Sequence, residues 1–388
     1  MPKSRWFGRL GALGLVVVST ALGAVAVEGV LRLVVNPSDF LHATLIDDPM
    51  LGHRIAPHTT GHDGLGFRNR EVPKQVGIVA IGDSNTYGVS ATREGSWPHQ
   101  LSIELGEPVY NMGLGGYGPL QYLHLAEATA GPLKPRLLIV GFYFGNDLMD
   151  AHLVAHANER WREWRRAERP AEGTAAPGPV ADEPKKRFET LRNWLSRNSV
   201  LYSVLRATVF QRLAVKEREA MVRQASPDSR WPWRDPARGA TVQTVFTPQV
   251  RLSAVDVSLP AVREGLDITK KAFAALRTEA ERQRVRLLVV LIPTKERAYC
   301  RHLRVLAADL PPSFVRLCEV EEAAKAELMA FLAEQRMAQL DVTPMLEAQI
   351  ERHVQLYPTD ADGHAQAAGY GVIAKAVAEI VRQDSRKP

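Results

Sequence analysis

Cysteine is almost missing from this chain: 388 residues hold only Cys300 and Cys318, and no Cys-x-x-Cys occurs. That excludes a zinc ribbon or a thiol redox motif. Outside the cytoplasm the two could pair and close a short loop, a stabilisation on the order of 3 kcal/mol; two separate buried thiols are the alternative. His-Glu-x-x-His is absent, and so is Gly-x-Ser-x-Gly, because Thr86 stands where the second glycine of such an elbow would fall. No internal repeat is evident. Aromatic residues make up 7% of the chain, and no nucleic-acid-binding motif interleaves them with base. The net charge of +6 is spread among mixed acids and bases, which speaks against a nucleic-acid partner and fits a solvated surface facing an anionic envelope or membrane.

Charge is lacking in one further place. Leu10–Val27 runs eighteen residues without any, preceded by Lys3, Arg5 and Arg9 and closed by Glu28. The run is about long enough to cross a bilayer once, and its basic flank predicts a cytoplasmic N-terminus with the rest of the chain outside. Ala24-Val25-Ala26 would suit signal-peptide cleavage. The apolar face continues through Val30, Leu31, Leu33 and Val34, however, so an uncleaved anchor over residues 10–35 is the reading adopted, with 1–9 in the cytoplasm.

What is present beyond 75 is a strand-helix alternation. Val76–Ile81 is short, apolar and β-branched, the signature of a buried strand, and Gly82-Asp83-Ser84-Asn85 marks its exit. In a parallel sheet ligands bind at the carboxyl ends of the strands, where a serine can face a cleft and a helix N-terminus can offer N–H groups. Asn111–Gly118 follows a second strand, and Phe144-Gly145-Asn146-Asp147 follows a third, Leu137–Phe142. Helices are expected near 95–105, 119–130, 259–283 and 320–335, and further strands at 285–292 and 338–342. Asp360-Ala361-Asp362-Gly363-His364 then precedes an amphipathic helix.

With these four blocks in this order, the sequence resembles the SGNH (GDSL-type) hydrolase superfamily over about 76–150 and 285–382. The resemblance implies a flavodoxin-like three-layer α/β/α fold. Five parallel strands in the order 2-1-3-4-5 are expected, beside an N-terminal transmembrane helix and a helical insertion. The organisation expected is a membrane-proximal lead-in at 36–75, a hydrolase core at 76–150 and 256–388, and the insertion at 151–255. The insertion opens with an Ala/Gly/Pro-rich loop (171–184) and then carries helical spacing from Phe188 to Phe210.

The resemblance also implies roles. Ser84 would be the nucleophile, His364 its base, and Asp362 the residue that orients the imidazole; Ala361 rules out the three-residue spacing, and Asp360 is the weaker candidate. The oxyanion would be held by the Ser84 N–H, the Gly116 N–H and the Asn146 amide, with Gly116 preferred to Gly113 and Gly115. Phe144 departs from the family's Gly-x-Asn-Asp. Asp83 and Asp147 read as caps.

Remaining candidates carry less. His53, His58, His62 and Asp63 are metal-type donors in a Gly/Pro-rich stretch, and His152 and His156 read as solvated. No metal and no cofactor is expected. Arg160 to Arg166, with Trp161 and Trp164, read as a partly packed face or a site for anionic headgroups or glycan. Pro293-Thr294-Lys295-Glu296 resembles a segment of envelope polysaccharide O-acetylation proteins, leaving Lys295 to touch substrate or to cap a strand end. The function expected is a membrane-anchored serine esterase or O-acyltransferase acting on acylated envelope carbohydrate or lipid. A non-catalytic glycan-binding or assembly module on the same fold is the alternative.

Overall fold

A computed structural model describes residues 3–35, 39, 43–59, 61–166, 187–205, 229–306 and 309–384. The expected loop at 171–184 and Phe210 lie outside them. Helix α1 (Lys3–Val34) contains Gly14–Val34, twenty-one residues of mean hydropathy 2.0 with none buried. At 1.5 Å per residue that is about 31 Å, enough to cross a membrane once; an N-terminal signal sequence meets the same condition. The charges after the apolar run have partners. Glu28 accepts hydrogen bonds from Ser199 Oγ and the Val200 and Leu201 N–H groups, each 2.9 Å, and holds Arg32 at 2.7 Å. Within the lead-in, β1 (Leu45–Asp48) and β2 (Gly52–Ile55) form an antiparallel hairpin.

The alternating core begins with β3 (Ile78–Gly82), α2 (Ser84–Tyr87), α3 (Trp97–Leu105), β4 (Val109–Gly113), α4 (Pro119–Leu125), β5 (Leu137–Tyr143) and α5 (Asp147–Ala157). Next come α6 (Arg187–Asn198), α7 (Val200–Leu205), a hairpin of β6 (Trp231–Asp235) and β7 (Gly239–Phe246), and α8 (Pro248–Val255). The core resumes through α9 (Pro260–Gln283), β8 (Arg286–Ile292), α10 (Lys295–Leu306), α11 (Pro312–Glu334), β9 (Ala338–Asp341), α12 (Thr343–Glu351) and α13 (Ala367–Asp384).

Five strands form one parallel sheet in the order β4-β3-β5-β8-β9, which is 2-1-3-4-5 along the chain. Every residue of β3 and β5 is buried, as strands covered on both faces must be. Alternate residues serve opposite layers. Val79, Ile81, Val140 and Val289 pack with Leu120 of α4, Leu148 of α5, and Leu266 and Phe273 of α9. Ile78, Ala80, Ile139 and Val290 pack with Trp97 of α3, Tyr299 of α10 and Tyr370 and Val377 of α13. Each such aliphatic contributes roughly 1.5–3 kcal/mol by leaving water. Because β4 and β5 flank β3, the chain leaves β3 in opposite directions, and a crevice opens at the carboxyl ends of β3 and β5.

Two expectations need correction. The insertion is not wholly helical, since β6 and β7 lie within it. Val242, Thr244 and Phe246 are buried at every second position, a strand period set beside helical neighbours, and Phe246 packs against Tyr299 and Phe314. Helix α11 begins at Pro312 rather than near 320, because a proline is preorganised for the first helical turn. Cys300 of α10 and Cys318 of α11 are joined as a disulfide, Cα–Cα 6.0 Å.

Glu321 on α11 is buried and accepts the Thr294 N–H (2.8 Å) and hydroxyl (2.6 Å) just past β8. Burial pushes its carboxyl up to about 7, against those hydrogen bonds. Folding therefore holds a proton between its ordinary value of 4.5 and about 7. Its contribution to stability is complete below that window and is lost as pH rises through the upper end. Glu321→Gln should flatten the fall in melting temperature between pH 5 and 8 measured by scanning calorimetry; an unchanged slope would contradict the assignment.

Candidate active site

Glycines stand at Gly82 and Gly113, the last residues of β3 and β4, and at Gly141 near the end of β5, for one steric reason. A Cβ on Gly82 or Gly141 would run into Thr86 Oγ1, and one on Gly113 would run into the Tyr87 backbone nitrogen. Helix α2 thus sits directly on the strand ends, and the chain turns sharply from β3 into it. Thr86 replaces the elbow's second glycine by occupying the space those glycines leave. Asp83 is fully buried and caps α2, accepting the Asn85 N–H at 2.8 Å. Burial raises its carboxyl above the ordinary value, with the charge of His364 opposing.

Ser84 follows that cap at the first position of α2. His364 Nε2 lies 2.7 Å from Ser84 Oγ, and His364 Nδ1 lies 2.6 Å from Asp362 Oδ1. With Nδ1 protonated toward Asp362, Nε2 accepts the serine proton, the tautomer a general base needs. Asp83 Oδ2 competes for the same proton from 3.2 Å, a longer contact. Burial alone would raise the Asp362 carboxyl. The His364 ring and charge, the Ser90 hydroxyl and the His364 N–H outweigh burial and hold it well below the usual range. Asp360 does not reach the imidazole in this pairing; its carboxylate accepts the Asp362 N–H at 2.9 Å and shapes the turn.

That turn is irregular chain, and side chains from three other elements hold it. Lys295, at the start of α10, has 0% exposure. Its ammonium lies within hydrogen-bond distance of Thr244 Oγ1 (3.0 Å) and the carbonyls of Val245 (2.7 Å), Asp360 (3.1 Å) and Asp362 (2.9 Å). Burial pulls it down to about 8, opposed by the charge of Glu296. Neither role expected for Lys295 describes this placement, which joins β7 to the Asp362–His364 turn. Ser90, just beyond α2, donates to Asp362. Arg251 of α8 packs against Gly363, where any Cβ would strike its guanidinium. The sequence signal for Lys295 was its place after β8; its acceptors sit at 244, 245, 360 and 362, beyond any local pattern.

Gly116 adopts φ +79°, a left-handed conformation that favours glycine. His53 of β2 reaches over it to bond the Gly115 carbonyl at 2.9 Å, and Tyr117 donates to the His53 carbonyl at 2.8 Å, so the lead-in hairpin braces this loop. Asn146 is half-buried at the start of α5 and donates through Nδ2 to Asp150 Oδ2 at 2.5 Å. One amide hydrogen is committed there and the second is not. Burial pushes Asp150 up to about 7, with the charge of Asp83 adding to the rise. Asp147 accepts the Tyr143 N–H (3.0 Å) and the Tyr122 hydroxyl, a structural cap. Phe144 is buried edge-on against Phe142.

The other candidates separate. His53, His62 and Asp63 serve different partners: the Gly115 carbonyl, the Tyr87 hydroxyl (3.0 Å) and the Tyr110 hydroxyl (2.7 Å). His152 and His156 are not simply solvated; both bond Glu264 Oε2 on α9, at 2.8 and 3.1 Å. In the basic patch Trp161 is buried, Arg160 pairs with Glu127, Arg165 donates to the Ala155 carbonyl, and Arg166 pairs with Asp267.

No family model and no curated protein sequence matches the chain. Among solved structures, its neighbours include a protein assigned to the G-D-S-L lipolytic family from Desulfitobacterium hafniense DCB-2. That match has 14% identity and TM-score 0.38, and covers 78% of this chain and 98% of the other. A GDSL-like lipase from Bacteroides thetaiotaomicron VPI-5482 matches with 10% identity, TM-score 0.35 and coverage of 81% and 93%. TesA matches with 13% identity, TM-score 0.35 and coverage of 79% and 98%.

Lys295→Met should release the Asp362–His364 turn without altering any surface a substrate could touch. If His364 serves Ser84 as a base, kcat for an ester substrate should fall at least about ten-fold with KM nearly constant, the split expected when a reacting group is mispositioned. A variant with full kcat, or one altered only in KM, would contradict this.

Proposed function

We propose that the chain is a serine hydrolase of the SGNH (GDSL-type) superfamily, a membrane-anchored esterase whose acyl-enzyme forms on Ser84. The observation that carries this is the contact of Ser84 Oγ with His364 Nε2 at 2.7 Å, its other ring nitrogen 2.6 Å from Asp362. Nucleophile within reach of base, and base within reach of an orienting carboxylate, is the arrangement acyl transfer requires.

The mechanism follows from those atoms. Ser84 Oγ attacks the ester carbonyl as its proton passes to His364 Nε2. The imidazolium so formed is stabilised by Asp362, whose depressed proton affinity keeps it ionised. Charge develops on the carbonyl oxygen, and the Ser84 N–H, the Gly116 N–H and the second Asn146 amide hydrogen are the donors assigned to it. His364 then returns its proton to the leaving alcohol. Water activated by the same imidazole cleaves the acyl-enzyme, restoring Ser84.

An extracytoplasmic site on acylated envelope carbohydrate or lipid is the setting proposed. The apolar α1 with its basic flank supports it, and so does the Cys300–Cys318 disulfide, which persists in oxidising compartments. Transfer to a sugar hydroxyl would use the same acyl-enzyme, with the hydroxyl taking the place of water.

Full-length protein in detergent should hydrolyse p-nitrophenyl acetate. Ser84→Ala should abolish turnover, His364→Ala should cost on the order of a thousand-fold, and Asn146→Ala about a hundred-fold. Turnover unaffected by Ser84→Ala would overturn the reading. Acylated glycan formed when a glycan acceptor is added would reassign the enzyme as a transferase. Glycan binding without turnover in the wild type would favour the binding module.

A further inference from the structure

The β6–β7 hairpin meets α10 and the end of α12 at a second cluster of chemistry-bearing side chains. Asp235 closes β6 with its carboxyl fully enclosed. One oxygen, Oδ1, is fixed by the Ala237 (2.7 Å) and Arg238 (3.2 Å) N–H groups of the hairpin turn. The other, Oδ2, faces two imidazoles: His353 Nδ1 at 2.6 Å and His302 Nε2 at 3.8 Å. His302 is only 8% exposed, yet its Nε2 has no hydrogen-bond partner. An enclosed ring nitrogen left in that state costs about 1–3 kcal/mol, so its persistence asks for a reason. The ring is held edge-on by Trp233 and by His353, at centroid distances of 6.0 and 5.7 Å, which keeps Nε2 aimed at the carboxylate. One ligand atom from each of the three residues lies within 4.8 Å of the other two.

We propose that Asp235, His302 and His353 form a binding site for a divalent transition-metal ion of the zinc type. Two imidazole nitrogens and one carboxylate oxygen suit zinc and its neighbours, whereas magnesium and calcium prefer all-oxygen shells. Bonds of about 2.0–2.2 Å set tetrahedral ligand atoms roughly 3.3 Å apart. Reaching that opens the His353–Asp235 contact from 2.6 Å and closes the His302–Asp235 separation from 3.8 Å, each by less than about 1 Å. His353 is 29% exposed, so ion and water enter from its side, and water completes the fourth position. Binding displaces the proton that His353 Nδ1 donates to Asp235. The ion would pin the hairpin to α10 and α12. The same hairpin supplies Thr244 and Val245 to Lys295, so the site supports the catalytic turn from a distance and takes no part in the reaction.

A comparable trio, His152, His156 and Glu264, serves as an internal control. There both imidazoles already bond Glu264 Oε2, and Oε1 takes the Arg166 N–H, so each ring has a partner on that carboxylate.

The test uses full-length protein in detergent, dialysed against EDTA and titrated with zinc chloride by calorimetry, then with cobalt(II) by visible absorption. One equivalent should bind tightly, and cobalt should give the intense visible bands of a tetrahedral site. His302→Gln and, at the exposed rim, His353→Gln should each weaken zinc at least a hundred-fold and abolish those bands. His152→Gln should leave both intact. Zinc should raise the melting temperature of the wild type and not of His302→Gln. Absence of tight binding by the wild type would overturn the proposal, as would binding that survives both the His302 and His353 changes or disappears with His152→Gln. Should His302→Gln fail to fold, His353→Gln and the wild-type cobalt spectrum decide the matter alone. Esterase activity enters none of these readings.

Discussion

The hydrogen bond between Ser84 and His364 joins positions 280 residues apart, and the rest of the structure can be understood as what holds those two ends within 2.7 Å. Ser84 is placed by regular structure: a buried strand, a capped turn, and a short helix seated against glycines of the neighbouring strands. His364 has no such support, because it follows an irregular turn before α13. Its position is set by donors that converge on the turn. Lys295 is chief among them, with four oxygen acceptors for three hydrogens. Burying an ammonium costs several kcal/mol unless it is fully bonded, so that cost is offset only when β7 and the turn are both in place. The arrangement is all-or-none: losing either partner strands the charge.

The electrostatics of the two carboxylates beside the site differ in kind. Asp362 receives four favourable interactions that outweigh burial and hold its carboxyl well below the usual range. Asp83, beneath Ser84, is dominated by burial, and Asp147 and Asp150 nearby are raised in the same way. On the proposed mechanism one carboxylate stabilises the imidazolium, while burial raises the other three, the charge of Asp83 adding to the rise at Asp147 and Asp150. His364 thus has its hydrogen-bonded carboxylate on the Nδ1 side, while Nε2 faces the serine hydroxyl.

Much of this was legible in the sequence where the physics is local. Val76–Ile81 and Leu137–Phe142 read as buried strands because a sheet covered on both faces tolerates nothing but apolar side chains. Ser84 stood out because it lies at a strand exit; Asn146, Asp362 and His364 were named through the family resemblance, on blocks that follow strands or precede a helix. What stayed hidden depends on contacts between distant positions. The β6–β7 strands carry a period of two at Val242, Thr244 and Phe246, but only the packing against Tyr299 and Phe314 makes them a hairpin rather than more helix. His152 and His156 looked solvated because their partner, Glu264, sits more than 100 residues away. Lys295 looked like a residue facing the cleft, since nothing near it announces that its acceptors are on β7 and the final turn. Asp150 was passed over although it sits one helical turn past Asn146, a spacing at which side chains meet.

Labelling the full-length protein with a fluorophosphonate and mapping the modified peptide by mass spectrometry tests the central claim most directly. Such a reagent captures only a serine whose proton a neighbouring base removes. The account predicts stoichiometric modification at Ser84 in the wild type and none when His364 is replaced by alanine. Modification of a different serine, or equal labelling of Ser84 with and without the imidazole, would contradict it.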